Sequence, residues 1–108
     1  MQALSIKQPW AQMIVKSLKT IETRTWKTSY RGKLLIVSSK EKYQDYPCGY
    51  ALAIADLTDC RKMTEEDEFL AQCKVYEGAY AWILTNIQPL TKAFKVKGRL
   101  GLYEVDVR

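Results

Sequence analysis

A lysine, a glutamate and an arginine lie within six residues of one another, at Lys19, Glu22 and Arg24. On a β-strand, residues two positions apart project to the same face, so Glu22 and Arg24 are predicted to share a face, with Lys19 at the entry turn. One carboxylate between two cations forms either a surface set of salt bridges or a recognition cleft in which the carboxylate positions the two cationic side chains. The nearby Trp10 and Trp26 favour the cleft.

The residue types that are absent restrict the chemistry. The chain has no histidine, which excludes a Ser-His-Asp triad, a Cys-His pair and an imidazole-ligated metal. The spacing of Cys48, Cys60 and Cys73 fits neither a disulfide framework nor a C-x-x-C motif, so buried structural thiols are expected. Any catalysis must therefore use lysine, carboxylate, tyrosine or hydroxyl groups, and neither a metal nor a cofactor is expected.

The net charge of +5 is distributed unevenly along the chain. Residues 1–47 contain nine Lys and Arg against three Asp and Glu, whereas residues 48–108 contain eight against nine. A basic surface is typical of a polyanion partner, because neutralising phosphates supplies most of the non-specific affinity for nucleic acid. Mild basicity is also common in small domains for solubility alone, so charge by itself leaves both interpretations open.

Length and composition predict one domain spanning residues 1–108. A chain of 108 residues that is 47% hydrophobic can bury a core unaided. No apolar run approaches the roughly 20 residues of a membrane span, and the amino terminus lacks a signal-peptide pattern. We therefore expect a cytoplasmic monomer without a membrane partner.

Hydrophobic patterning predicts a mainly β domain with flanking helices. Strands are expected over residues 3–6, 19–25, 33–39, 50–58, 81–87 and 99–107. The third is expected to be covered on both faces, and Pro89 is expected to end the fifth. Residues 9–18 predict a helix whose apolar stripe includes Trp10 and Leu18. Thr64 begins a second helix, with Asp67 completing a partial capping box.

Four motifs follow one another along nearly the whole chain: Leu4-Ser5-Ile6-Lys7-Gln8-Pro9-Trp10-Ala11, Lys19-x-x-Glu22-x-Arg24-x-Trp26, Tyr30-Arg31-Gly32-x-Leu34-Leu35-Ile36 and Gly98-x-Leu100-Gly101-Leu102-Tyr103-Glu104-Val105. In this order they resemble the activating-signal-cointegrator homology (ASCH) family. The family element Gly-x-Lys-x-x-Glu-x-Arg matches except at Ser17, which replaces the glycine. ASCH domains resemble the PUA domain, a small RNA-binding β-barrel, so the resemblance implies a PUA-like barrel of about five or six strands.

The predicted ligand-binding residues combine cations, amides and aromatic rings. They are Lys7, Gln8, Trp10, Lys19, Glu22, Arg24, Trp26, Tyr30 and Arg31. Trp26 has polar neighbours and is the better candidate for stacking on a base, whereas Trp10 is equally compatible with a core position and Trp82 is expected in the core. Arg31 either braces a turn or approaches a phosphate.

Two classes of function remain. In the first, a basic cleft binds RNA or a nucleotide-like ligand, with Lys19 and Arg24 toward phosphates or base edges and Glu22 accepting from an exocyclic amine. In the second, the chain resembles an ASCH-like amidohydrolase of acetylcytidine, or a nuclease, with Lys19 and Glu22 as catalytic residues. The amidohydrolase motif has a threonine where Glu22 stands, and Glu77 is the candidate for its distant glutamate. Binding is the preferred interpretation.

Overall fold

Six strands form one mixed sheet that curves into a half-barrel in the computed structural model, which describes residues 1–107. The strands are β1 (Gln2–Ile6), β2 (Ile21–Arg24), β3 (Gly32–Ser38), β4 (Tyr50–Lys62), β5 (Tyr80–Lys95) and β6 (Leu102–Glu104). Their order in the sheet is β2-β5-β4-β3-β1-β6, in which β1 pairs in parallel with β3 and antiparallel with β6. This confirms the mainly β fold with flanking helices.

The first helix, α1 (Trp10–Val15), is shorter than the predicted range of residues 9–18. It ends because Ser17 takes a left-handed conformation with φ of 58°. The Ser17 N–H donates to the Ile14 carbonyl and the Leu18 N–H to the Met13 carbonyl, the two hydrogen bonds of a Schellman motif. Ser17 thus occupies the turn position that is glycine in the ASCH element that this segment resembles. The turn leaves Leu18 exposed, so the predicted apolar stripe is wrong at that end.

The core lies on both faces of β3. Leu34 and Ile36 belong to the cluster that packs beneath α1, whereas Leu35 and Val37 belong to a second cluster on the opposite face. All four side chains are completely buried, which confirms the prediction that this strand is covered on both sides. Trp82 is also completely buried in the first cluster, as expected.

The prediction that Pro89 ends the fifth strand is wrong. Pro89 pairs with Ala53 of β4, within a stretch where the register between the two strands shifts repeatedly. The pairing of β5 with β2 ends at Ile83, before Pro89 is reached. Among the described residues, the part of β5 that contains Pro89 therefore pairs with β4 alone. A strand tolerates proline where only one side is paired or where the ladder is bulged.

A 3₁₀ turn (Glu65–Asp67) leads into α2 (Glu68–Ala71), and the Thr64–Asp67 capping box predicted from sequence is present. The carboxylate of Asp67 is buried and accepts from both terminal nitrogens of Arg61 at 2.8 Å. It also accepts from the Thr64 N–H at 2.9 Å. The bonds to Arg61, followed by those to Thr64, hold the pKa of Asp67 at about 2, below its ordinary 3.8. This ion pair anchors α2 to the end of β4.

Acid titration is expected to reveal this anchor. Because the folded-state pKa of Asp67 is depressed, its contribution is present above pH 3.8 and is lost as the pH falls toward about 2. The shift corresponds to at most about 2.5 kcal/mol, which exposure of Arg61 reduces to about 1 kcal/mol. Urea unfolding at a series of pH values should show this loss in the wild type and in the exposed control Asp45→Asn. An identical pH dependence in Asp67→Asn would contradict the assignment.

Two expectations from composition can be compared with the structure. Cys48, Cys60 and Cys73 are all partly exposed thiols rather than buried ones, so the predicted burial is wrong. The side chains of Cys60 and Cys73 nevertheless pack at the margins of two hydrophobic clusters. Across residues 1–107, no helix has the length and hydropathy needed to cross a bilayer.

Candidate functional site

The side chains of Lys19, Glu22 and Arg24 converge where the turn after α1 enters β2. The Arg24 Nε and Nη2 atoms each lie 2.9 Å from Glu22 Oε2. The Lys19 Nζ atom lies 3.6 Å from Glu22 Oε1, on the other side of the carboxylate. Lys19 and Glu22 are only 2% and 6% exposed. The arrangement is therefore a largely buried triad in which one carboxylate holds two cations.

Two backbone carbonyls from other elements fix the cations of the triad. Lys19 Nζ donates to the carbonyl of Ala71, the last residue of α2, at 2.5 Å. Arg24 Nη2 donates to the carbonyl of Ser5 in β1 at 2.7 Å. Both cations therefore have internal acceptors in addition to Glu22. The triad carries one net positive charge, and both of its cations already have partners within the fold. Most of the positive charge available to a ligand in this region must therefore come from other residues.

Burial has a direct effect on the protonation of Lys19. Loss of solvation lowers its pKa below the ordinary 10.5, and the attraction of Glu22 opposes this only in part. The folded protein therefore holds this proton less tightly than the unfolded chain does. The buried ammonium therefore lowers the free energy of unfolding at low and neutral pH. This penalty decreases as the pH rises from the lowered pKa toward 10.5. Glu22 thus limits the cost of keeping a charged lysine inside the domain.

The triad lines a cavity of about 670 Å³. Five predicted ligand-binding residues contribute to its wall: Lys7, Trp10, Lys19, Glu22 and Arg24. Trp10 is 40% exposed and lies at the start of α1, so its ring is a wall of the cavity and not a core residue. The cavity thus combines a buried carboxylate, two internal cations and an accessible aromatic ring.

Gln8 and Trp26 lie outside the lining of this cavity. The Gln8 amide is buried and bridges two backbone groups, since Oε1 accepts from the Gln12 N–H at 2.9 Å and Nε2 donates to the Pro47 carbonyl at 2.8 Å. Trp26 packs edge-to-face against Trp82 with ring centroids 4.8 Å apart. The structure thus gives Gln8 a role in holding the loop before β4 and gives Trp26 a packing role.

Tyr30 and Arg31 also lie away from the cavity. The Tyr30 hydroxyl donates to the Lys33 carbonyl at 2.5 Å, and its ring packs against the core. Arg31 Nη1 donates to the carbonyls of Thr28 and Tyr30 at 2.9 and 2.8 Å. Of the two interpretations of Arg31, these contacts match the one in which it braces the turn before β3.

Sequence reasoning missed several residues of the wall. Seven of them carry hydroxyl or charged side chains: Ser5, Thr23, Thr25, Ser39, Lys40, Tyr76 and Arg99. The Tyr76 hydroxyl donates to Thr23 Oγ1 at 3.1 Å, which joins the loop after α2 to β2. For Arg99 a signal existed, because it lies inside the motif Gly98-x-Leu100-Gly101. For Ser39 and Lys40 there was none, because a polar pair at the end of a strand is unremarkable in sequence.

Comparison with known proteins is consistent with the fold and with the order of the motifs. A model of the ASCH domain matches residues 4–94. The chain is 28% identical over 127 aligned residues to activating signal cointegrator 1 from Homo sapiens and 27% identical to that from Mus musculus. Each alignment covers 95% of this chain but 22% of the relative, so the chain spans about a fifth of the length of these curated relatives.

Solved structures show the same architecture. A tyrosine-to-phenylalanine mutant and a serine-to-alanine mutant of ZmASCH from Zymomonas mobilis align with TM-scores of 0.71 and 0.70. Both alignments cover 97% of this chain, and they cover 89% and 87% of the two ZmASCH chains. At 14% identity this likeness concerns the fold alone. Together with the match over residues 4–94, it leads to one conclusion: the chain belongs to the ASCH domain family.

Proposed function

We propose that this domain binds single-stranded RNA or a nucleotide-like ligand by taking one nucleotide into the cavity. The main support is that a cavity of about 670 Å³ brings an accessible tryptophan and a buried carboxylate together. Ligand sites usually have volumes of about 300 to 1,000 Å³ and contain a few placed polar groups. Stacking on Trp10 accommodates any base, because every base has a π-face. The likeness of ASCH domains to the RNA-binding PUA domain points in the same direction.

Glu22 is the group proposed to contact the edge of the base. Its Oε2 atom already accepts a hydrogen bond from Arg24 Nε and lies 2.9 Å from Arg24 Nη2, whereas the Lys19 Nζ atom is 3.6 Å from Oε1, a long distance for a hydrogen bond. A carboxylate oxygen can accept more than one hydrogen bond. Oε1 therefore has capacity for an exocyclic amine or a ring N–H, and the two cations hold the carboxylate in place.

Binding of a ten-nucleotide single-stranded RNA of mixed sequence tests this proposal. Affinity is expected to fall as the salt concentration rises. A plot of the logarithm of the association constant against the logarithm of the salt concentration should have a slope of about −0.7 for each phosphate contacted. Amide NMR shifts on titration should be largest for β2 and the start of α1. Lys92→Gln, an exposed substitution in the distal half of β5, should leave both results unchanged. Shift changes confined to that distal half, or no binding at low salt, would contradict the proposal.

Hydrolysis of an acylated nucleoside is the second candidate. The observation in its favour is a lysine of lowered pKa beside a carboxylate at the cavity wall, and a lysine whose pKa is lowered by burial is the kind of group that enzymes use as a base. Glu77, the predicted distant acid, is exposed and does not line the cavity, so the set of three catalytic residues is incomplete. Under the preferred proposal, N4-acetylcytidine is not turned over. Turnover that is lost in Lys19→Ala and Glu22→Gln but kept in Glu77→Gln would replace binding with hydrolysis.

A further inference from the structure

Three basic residues from three separate segments line the cavity apart from the triad. Lys7 follows β1, Lys40 follows β3, and Arg99 lies in the loop before β6. All three are exposed. Lys7 pairs with an acid, Glu41, whose Oε2 atom lies 3.5 Å from Lys7 Nζ. Both partners of that ion pair are 68% exposed, so solvent screens it and the group keeps a net positive charge.

Sheet pairing brings these residues to one end of the cavity. Because β1 and β3 are parallel and Ile6 pairs with Ser38, the residues that follow them emerge side by side. The Ser39 N–H donates to the Ile6 carbonyl at 2.9 Å, and this hydrogen bond holds the carboxyl ends of the two strands together. Gly98 passes directly over β1, since a Cβ placed there would lie 3.1 Å from Ser5 Oγ. The next residue, Arg99, therefore reaches the same region as Lys7.

The hydroxyl of Ser39 provides a second and independent observation at this end. Its oxygen is buried and has no hydrogen-bond partner among residues 1–107. Ser39 nevertheless lines the cavity, as do Lys7 and Lys40. Buried polar atoms in folded proteins are nearly always paired, and leaving one unpaired is unfavourable. A ligand oxygen at this wall would supply the missing partner.

We propose that Lys7, Ser39, Lys40 and Arg99 form a phosphate subsite, so that the preferred ligand is a phosphorylated nucleotide and not a free nucleoside. This inference rests on the proposed function and divides the cavity into two parts. The triad end contacts the base through Glu22, because its cations already have internal acceptors. The end with Lys7, Lys40 and Arg99 holds the phosphate, because exposed guanidinium and ammonium groups together with a hydroxyl are suited to phosphate oxygens.

Calorimetric titration with the four ribonucleosides and with their 5′- and 3′-monophosphates tests the subsite. At least one monophosphate is expected to bind about tenfold or more tightly than its nucleoside at low salt, because charge-assisted hydrogen bonds to the phosphate are added. This difference should shrink in Ser39→Ala, in Lys40→Gln and in Arg99→Gln, while nucleoside affinity stays unchanged. It should persist in Lys92→Gln, which matches the loss of charge at a site away from the cavity.

The results separate this inference from the proposal on which it rests. Nucleosides and monophosphates that bind equally well would overturn the phosphate subsite but leave nucleotide binding in the cavity intact. No binding of any nucleoside, monophosphate or decanucleotide would overturn both. A difference that survives unchanged in all three subsite variants would show that the phosphate is held elsewhere and would likewise overturn the subsite. Circular dichroism of each variant establishes that a loss of affinity does not come from unfolding.

Discussion

Glu22→Gln is expected to lower the free energy of unfolding by about 3 to 5 kcal/mol, the range found when one partner of a buried ion pair is removed. The substitution keeps the shape and an acceptor oxygen but leaves the buried ammonium of Lys19 and the guanidinium of Arg24 without their shared carboxylate. Urea unfolding at neutral pH measures the change. An unfolding midpoint equal to that of the wild type would contradict the role of Glu22 as the counter-charge of the triad.

An exposed ion pair and a second substitution serve as controls for this result. Glu41→Gln removes a carboxylate of the same type from the exposed pair with Lys7 and should cost less than about 1 kcal/mol. Adding Lys19→Met to Glu22→Gln removes the uncompensated cation and should recover much of the lost stability. The stability of Glu22→Gln alone should rise with pH up to 10.5, because its folded state binds the Lys19 proton even more weakly than the wild type does.

Trp10→Ala is expected to weaken binding of the decanucleotide by about 1 to 3 kcal/mol, with little change in the salt slope, because stacking releases few ions. Trp26→Ala is expected to leave this affinity unchanged. Its ring packs against Trp82 outside the cavity, so its loss should instead lower stability, by about 1 kcal/mol. Fluorescence anisotropy and urea unfolding of both variants give the two readouts.

The two tryptophans thus serve as controls for each other. A loss of affinity in Trp26→Ala that exceeds the loss in Trp10→Ala would reverse the assignment and restore the interpretation based on polar neighbours. If both variants bind the decanucleotide as tightly as the wild type, the ligand does not stack on either ring. In that case the part of the proposed function that concerns base stacking is wrong.

Much of the fold follows from local patterns. Alternating apolar and polar residues, together with short apolar runs, predicted where each strand lies, although β5 extends to Lys95. The apolar run Leu34-Leu35-Ile36-Val37 of β3 is covered on both faces, as its pattern requires. The Thr64–Asp67 box is a contact between residues three positions apart, so it could be recognised without knowing the tertiary structure. The ends of elements were less predictable: α1 stops at the left-handed Ser17, and β5 continues through Pro89.

Strand periodicity also explains part of the site. Glu22 and Arg24 are two residues apart on β2, and the bond between their side chains follows from that spacing. Lys19 lies three positions before Glu22 and joins the same carboxylate from the preceding turn. Its near-complete burial did not follow from the sequence, because it depends on the carbonyl of Ala71, which is 52 positions away.

The sequence by itself determined the family, the mainly β architecture and the identity of the triad, since each depends on residue types at short and regular spacings. Only the tertiary structure decided that Trp10 lines the cavity and that Trp26 packs against Trp82. It also brought Ser39, Lys40 and Arg99 together, through the parallel pairing of β1 with β3 and the passage of the Gly98 loop over Ser5. These contacts join residues far apart along the chain, and the order of strands in the sheet creates them. Local periodicity carries no information about that order.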